Sequence, residues 1–156
     1  MTRTFRLCRA DYLPNALSGE GARLYGGRWN SVGTAMVYTS SSLSLATLEI
    51  LVHLEDPEVF SRHFGWLEVL IPDDCIEVLA PTQLPSGWDA DEITAGSQQL
   101  GDRWLRSGKT AALAVPSVVT PGELNYLLNP AHPRFAEIHR GTAHRFRPDP
   151  RLPTNT

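Results

Sequence analysis

The most unusual acid in this chain is Glu49. It stands in the run Leu43-Ser44-Leu45-Ala46-Thr47-Leu48-Glu49-Ile50-Leu51-Val52-His53-Leu54, where most other positions are apolar. Helical spacing places it beside Leu45, Ala46, Val52 and His53. A helix that is apolar on all sides is buried. A buried carboxylate then needs a cation, hydrogen-bond donors or a raised pKa. The competing reading is a partly exposed Glu49 on a thin polar stripe with Thr47 and His53. Arg28 is the second candidate, in Tyr25-Gly26-Gly27-Arg28-Trp29-Asn30. Adjacent glycines let backbone approach a ligand closely. A guanidinium fork beside them matches the paired oxygens of a carboxylate or a diphosphate. The plainer alternative is a loop arginine stacked on Trp29.

Three further side chains could line a ligand site. Tyr38 ends a short strand-like run and suits either stacking on a flat heterocycle or packing in a core. Ser117 follows Pro116 and lacks the GxSxG elbow of a hydrolase nucleophile. Its hydroxyl fits a ligand amide or a local backbone bond. Asn129 precedes Pro130 and is explained by a turn, whereas Asn125 has no such explanation. The five histidines form neither HExxH nor a zinc-ligand grouping, so no metal site is expected. Gly19-Glu20-Gly21 is followed by Ala22-Arg23-Leu24, so the third glycine of a dinucleotide fingerprint is missing.

These residues need elements to hold them. Phe5–Cys8 alternates apolar with polar and predicts an edge or half-buried strand. Residues 11–33 are rich in Gly, Ser, Asn and Arg and predict a mostly irregular loop. Ala35–Thr39 predicts a strand, followed by Ser40, Ser41 and Ser42 as candidate N-caps for a helix over 43–54. Residues 66–71 and 75–79 read as strands separated by the turn chemistry of Pro72-Asp73-Asp74. A second helix is predicted over 95–106, with Leu100 and Trp104 on one face and Gly108 past its end. Residues 112–119 read as a strand that Pro116 assigns to an edge or bulge. Residues 125–128 form a short apolar piece, 133–139 a helical turn or two, and 148–156 a tail. Short strands with two helices in irregular alternation point to an α+β fold in a single domain over 1–156.

The bulk numbers agree with an ordinary globular protein. The chain has 156 residues, 42% hydrophobic and 20% charged. A net charge of −3 offers no broad basic field, so direct nucleic-acid binding is not expected. The N-terminus lacks the apolar core of a secretory signal, and no stretch is long enough to span a bilayer, which argues for a cytoplasmic protein without a membrane partner. Cys8 and Cys75 read as two buried free thiols.

Taken in order, the motifs resemble those of the RES domain, a family named for an Arg, a Glu and a Ser. The matching stretches are Phe5-Arg6-Leu7, Gly26-Gly27-Arg28-Trp29-Asn30, Val37-Tyr38-Thr39, Ala46-Thr47-Leu48-Glu49, Gln98-Gln99-Leu100-Gly101-Asp102, Val115-Pro116-Ser117, and Leu127-Leu128-Asn129-Pro130 with His132-Pro133. The resemblance implies a compact fold like that of ADP-ribosyltransferases, with small sheets around an NAD cleft and helices at the flanks. It implies a toxin of a type II toxin–antitoxin pair whose partner is an Xre-type antitoxin. NAD would be the substrate, consumed by hydrolysis, phosphorolysis or ADP-ribosylation of a target protein. Arg28 would hold the phosphates or the nicotinamide ribose, and Tyr38 would stack near the nicotinamide. Glu49 would serve the reacting ribose, Ser117 would line the nicotinamide pocket, and Asn125 would join the same cleft. A mono-ADP-ribosyltransferase is the alternative enzyme. A non-enzymatic module, with Arg28 and Glu49 as a structural ion pair, is the alternative outside enzymology. Self-association is left open.

Overall fold

A computed structural model of the chain describes residues 1–54, 60 and 62–152. Among them, seven strands form one sheet: β1 (Thr2–Arg9), β2 (Val37–Ser40), β3 (Phe64–Ile71), β4 (Ile76–Val78), β5 (Ala112–Pro116), β6 (Leu124–Leu128) and β7 (His139–Arg145). Their order is β4-β5-β6-β2-β1-β3-β7. Only the β4–β5 pair is parallel, so the α+β expectation holds. The α-helices α1 (Glu20–Tyr25), α2 (Leu43–Leu51) and α3 (Ala95–Ser107) accompany the sheet. None of the helices among the described residues is long and apolar enough to cross a membrane.

The sheet is weakest where the function will need space. β1 pairs with β3 continuously, from Thr2–Ile71 to Arg9–Phe64. β1 and β2 share a single pair, Phe5 with Ser40. The strands part immediately beyond it, leaving an opening at Arg6, Leu7 and Tyr38. Strand alternation sorts the side chains onto two faces. Phe5, Leu7, Leu113, Val115 and Leu127 lie on the face that carries α2 and α3. Cys8, Val37, Leu67, Val69, Ala112 and Leu128 lie on the other, under Leu13, Ala16, Leu17, Phe135 and Ile138. The two helices therefore share one face and flank the point where the sheet splays.

Several expectations are corrected. Residues 5–8 are not an edge: β1 sits between β2 and β3 in the middle of the sheet. Its polar alternates, Thr4 and Arg6, are absorbed by hydrogen bonds to the Val69, Ala16 and Tyr38 carbonyls. The stretch 11–33 is less irregular than its composition suggests, holding a 3-10 turn at Ala10–Asn15 and α1. α2 ends at Leu51 instead of 54, and it is not buried all round, because Leu48 and Val52 are exposed. The strand over 112–119 stops at Pro116, and the proline is well placed. β4 reaches only as far as Ala114, so the missing N–H at Pro116 faces a side with no partner strand. β7 was not expected, and its exposed His/Arg-rich sequence carries no apolar alternation. Residues 148–152 contain no helix or strand, and 153–156 of the expected tail lie outside the described residues. Cys8 and Cys75 are buried free thiols. Burial pushes both thiols above their ordinary pKa, which leaves them little thiolate for chemistry.

Candidate active site

A cleft of about 400 Å³ opens where β1 and β2 diverge. That is within the range of small-molecule sites, roughly 300–1,000 Å³. Its walls include Arg6, Arg28, Tyr38, Glu49, His53 and Asn125. The two groups on which the sequence reading depended, Arg28 and Glu49, thus share one cavity. They do not form an ion pair, since each is held by other groups. The Arg28–Glu49 bridge that a non-enzymatic module would use is absent among the described residues.

α2 delivers the carboxylate. Ser42 caps the helix by accepting from the Leu45 N–H at 3.0 Å. Leu45 and Ala46 are buried, and the helical repeat turns Ala46, Glu49, Ile50 and His53 onto the cleft as one stripe. Glu49 is half-buried. Ser117 Oγ and Asn125 Nδ2 each donate to Oε1 at 2.7 Å. Both bonds fall on the same oxygen, and among the described residues Oε2 has no hydrogen-bond partner, which leaves it to a ligand. Behind Asn125, Ser40 Oγ donates to its Oδ1 at 2.7 Å, which fixes the amide orientation. Ser117 is 3% exposed and stands behind the carboxylate. Its oxygen also accepts from the Thr120 N–H at 3.0 Å. The local backbone bond read from the sequence is present, while the hydroxyl proton goes to Glu49, and Ser117 itself is not among the residues lining the cleft.

This geometry makes Ser117 a positioning residue. Ser117→Ala is expected to slow the chemistry served by Glu49 by roughly tenfold, the worth of one hydrogen bond to a charged group. Thermal stability should change by only a few degrees. Steady-state kinetics beside a melting curve checks this, and a parental rate would remove Ser117 from the site.

Two guanidiniums face the same space. Arg28 Nη1 donates to the carbonyls of Trp88 (2.7 Å) and Ala90 (2.9 Å). The fork is thereby oriented at the cleft wall, and among the described residues Nε and Nη2 have no hydrogen-bond partner. It does not stack on Trp29 as the plainer reading had it; Trp29 packs instead against Trp88, ring centroids 6.1 Å apart. The second guanidinium, Arg6, escaped sequence reasoning, although an arginine amid the apolar Phe5, Leu7 and Cys8 was the available signal. Its Nε donates to the Ala16 carbonyl (3.2 Å) and Nη1 to the Tyr38 carbonyl (3.3 Å). The latter replaces the backbone bond lost where β1 leaves β2. Burial lowers the Arg6 pKa from its usual value, yet arginine stays charged at neutral pH. His53, four residues after Glu49, was read as its helical neighbour and weighed as a metal ligand, and it too lines the cleft.

Tyr38 lines the cleft, but its hydroxyl is already engaged. It donates to Asn30 Oδ1 at 2.6 Å and accepts from the Trp29 N–H at 3.1 Å. Burial pushes the hydroxyl well above its ordinary pKa, so it remains a donor. Asn30, fully buried, spends its amide on the carbonyls of Ala22, Ser31 and Thr34. The Gly-Gly-Arg-Trp-Asn segment is thus a braced loop, and Tyr38 is one of its braces.

Known proteins are similar to this chain in sequence and in fold. The Prs ADP-ribosylating toxin of Sphingobium sp. (strain YBL2) is 42% identical over 159 residues, covering 97% of this chain and 98% of that protein. Toxin Res of Photorhabdus laumondii is 41% identical, covering 81% of this chain and 80% of its own. Toxin Res of Pseudomonas putida is 40% identical, with 87% and 92% covered. A chain in the crystal structure of the M. tuberculosis MbcT–MbcA toxin–antitoxin complex superposes with a TM-score of 0.72. It does so at 19% identity over 93% of this chain and 84% of that one, a likeness of fold. The family model for the RES domain matches residues 3–149, and on that match and these relatives the chain belongs to the RES domain family.

Proposed function

We propose that this chain is the cytoplasmic toxin of a toxin–antitoxin pair and that it cleaves the nicotinamide–ribose bond of NAD. The observation that carries the reading is one cleft lined by a carboxylate, one oxygen of which has no partner among the described residues, and by two oriented guanidiniums. An NAD molecule needs both: positive charge for its diphosphate and negative charge beside its reacting ribose. The relatives' names, and the toxin–antitoxin complex that shares the fold, support the toxin assignment. The partner is an antitoxin, of Xre type by the motif resemblance.

In the reaction, the C1′–N1 bond of the nicotinamide ribose breaks, and its electron pair leaves with the nicotinamide, neutralising the pyridinium. No strong general acid is required. Positive charge develops across C1′ and the ring oxygen. Glu49, held by Ser117 and Asn125, stabilises that charge without reorganising, and its Oε2 can also take the ribose hydroxyls. Arg6 and Arg28 grip the diphosphate, so binding energy far from the reacting carbon sets its position. The acceptor oxygen then bonds to C1′ and gives up its proton.

Removing one of these grips gives a specific signature. Arg6→Gln is expected to lower kcat/KM for NAD by roughly 10- to 100-fold, the worth of a charge-assisted hydrogen bond. It should leave the slow cleavage of nicotinamide riboside, which lacks the diphosphate, unchanged. An equal loss on both substrates would refute the diphosphate role.

NMR of NAD mixed with the purified protein, with and without phosphate, tests the function. Free ADP-ribose marks hydrolysis, and a phosphorylated ADP-ribose that requires phosphate marks phosphorolysis. A specific observation favours a second acceptor. The Sphingobium relative, similar across nearly the whole chain, is named for ADP-ribosylating Prs. Mass spectrometry of lysate proteins after incubation with NAD reads out that route. No nicotinamide release under any of these conditions would overturn the proposal.

A further inference from the structure

α3 grips the arginine loop at three points on one face. Gln98 Nε2 donates to the Gly27 carbonyl at 3.1 Å. Gly101 packs directly beneath the Trp29 carbonyl. Asp102 accepts from Ser31 twice, Oδ1 from the backbone N–H at 3.1 Å and Oδ2 from the hydroxyl at 2.6 Å. Positions 98, 101 and 102 are spaced i, i+3, i+4, so a single helical stripe meets the loop on both sides of Arg28.

Asp102 is the exceptional member. It is 6% exposed, and among the described residues no lysine or arginine forms a salt bridge with it. A buried carboxylate without a cation is costly. A purely architectural link could be made by a neutral side chain at less expense. The carboxylate is repaid in geometry: two acceptor oxygens hold both donors of one residue, which fixes the position and the rotation of the Ser31 peptide. Burial raises the pKa of the Tyr38 hydroxyl that braces the same loop from β2, and the nearby Asp102 adds to that shift in the same direction.

We infer that Asp102 is a positioning residue for NAD binding, acting through its two bonds to Ser31 to set the loop that presents Arg28 to the cleft. This rests on the NAD-cleaving reading above. Arg28 has its own orienting contacts at Trp88 and Ala90, but these fix the far end of the side chain. The near end moves with the loop, and displacement of a gripping group by about 1 Å can cost about 10²-fold.

The test is a KM-against-kcat split, read as nicotinamide release so that the acceptor does not matter. Asp102→Ala is expected to raise the KM for NAD about 10- to 100-fold, with kcat within a few-fold of the parent. Asp102→Asn, which still accepts the Ser31 N–H, should recover most of that loss. Ser31→Ala removes one of the two bonds and should shift KM in the same direction. In the double variant the two effects should fall short of their product, because they remove one shared contact. Should Asp102→Ala fail to fold, Ser31→Ala and Asp102→Asn carry the test alone. A parental KM in folded Asp102→Ala, or in Ser31→Ala if that variant alone folds, would overturn the inference while the parent still releases nicotinamide. A parent that releases none refutes the functional reading instead.

Discussion

Purified Glu49→Ala is expected to lose nicotinamide release by about 10²–10³, the usual consequence of removing one preorganised electrostatic group. The fold should survive. Glu49 is only half-buried at a cleft wall, so water can replace the carboxylate at Ser117 Oγ and Asn125 Nδ2. A loss of roughly 1 kcal/mol lowers the melting temperature of a chain this size by about 2–4 °C. NAD binding should persist, because the two guanidiniums remain. The defect therefore falls in kcat with KM little changed, which separates Glu49 from Arg6 and Asp102. A second result follows from the shared oxygen Oε1. Ser117 acts through the carboxylate, so Ser117→Ala should add nothing in the Glu49→Ala background. A parental rate in Glu49→Ala would show that the carboxylate does not serve the reacting ribose, and a full additional loss in the double variant would show that Ser117 does not act through it.

How far the sequence foretold this site depends on which contacts are local. Glu49 was legible because its helix announces itself by apolar content and a serine cap, and a carboxylate in that company needs a reason. Its partners were not. Ser117 and Asn125 lie 68 and 76 residues away, and only the β2–β6 and β5–β6 pairings carry them to α2. Pairing register depends on the whole sheet, so no window of sequence encodes it. Arg6 shows the opposite failure. Alternation in 5–8 correctly gave a strand, but a polar alternate reads as solvent-facing, which left an edge or a half-buried strand as the options. In the structure that position faces the gap beside β2, where a polar side chain is required. The rule linking alternation to exposure broke down where the sheet opens for a ligand.

The fold shows the same division. Elements with a strong period or clear caps, namely α2, α3 and β3, fall within three residues of their expected ends. β7 was invisible because its residues are nearly all exposed, and it is held by backbone pairing to β3 and not by an apolar stripe. The arginine loop looked irregular because its order comes from long-range bonds, to Tyr38 on one side and α3 on the other. Glycine and asparagine content reports local permissiveness and says nothing of what is braced from outside.

Gly101 gives the sharpest stability test of that bracing, since ordinary helix energetics predicts the wrong sign. Replacing glycine by alanine inside a helix normally stabilises it by up to about 1 kcal/mol. Gly21, in α1, is such a case: a methyl there meets nothing within 4 Å, and Gly21→Ala should gain a few tenths to about 1 kcal/mol. At Gly101 a methyl would lie 1.7 Å from the Trp29 carbonyl oxygen and 2.7 Å from its carbon. Those atoms are backbone and cannot swing aside. Either α3 lifts off the sheet, uncovering Trp104 and Leu100, or the loop is driven away from the helix, breaking the Asp102–Ser31 bonds. Both routes are costly, and Gly101→Ala is expected to destabilise by about 3 kcal/mol or more, in the tail of single-substitution effects. Thermal unfolding should show the two glycine substitutions moving in opposite directions, with Gly101→Ala lower by about 6–12 °C. If both rise together, α3 does not press on the arginine loop, and the bracing that sets Arg28 must come from β2 alone.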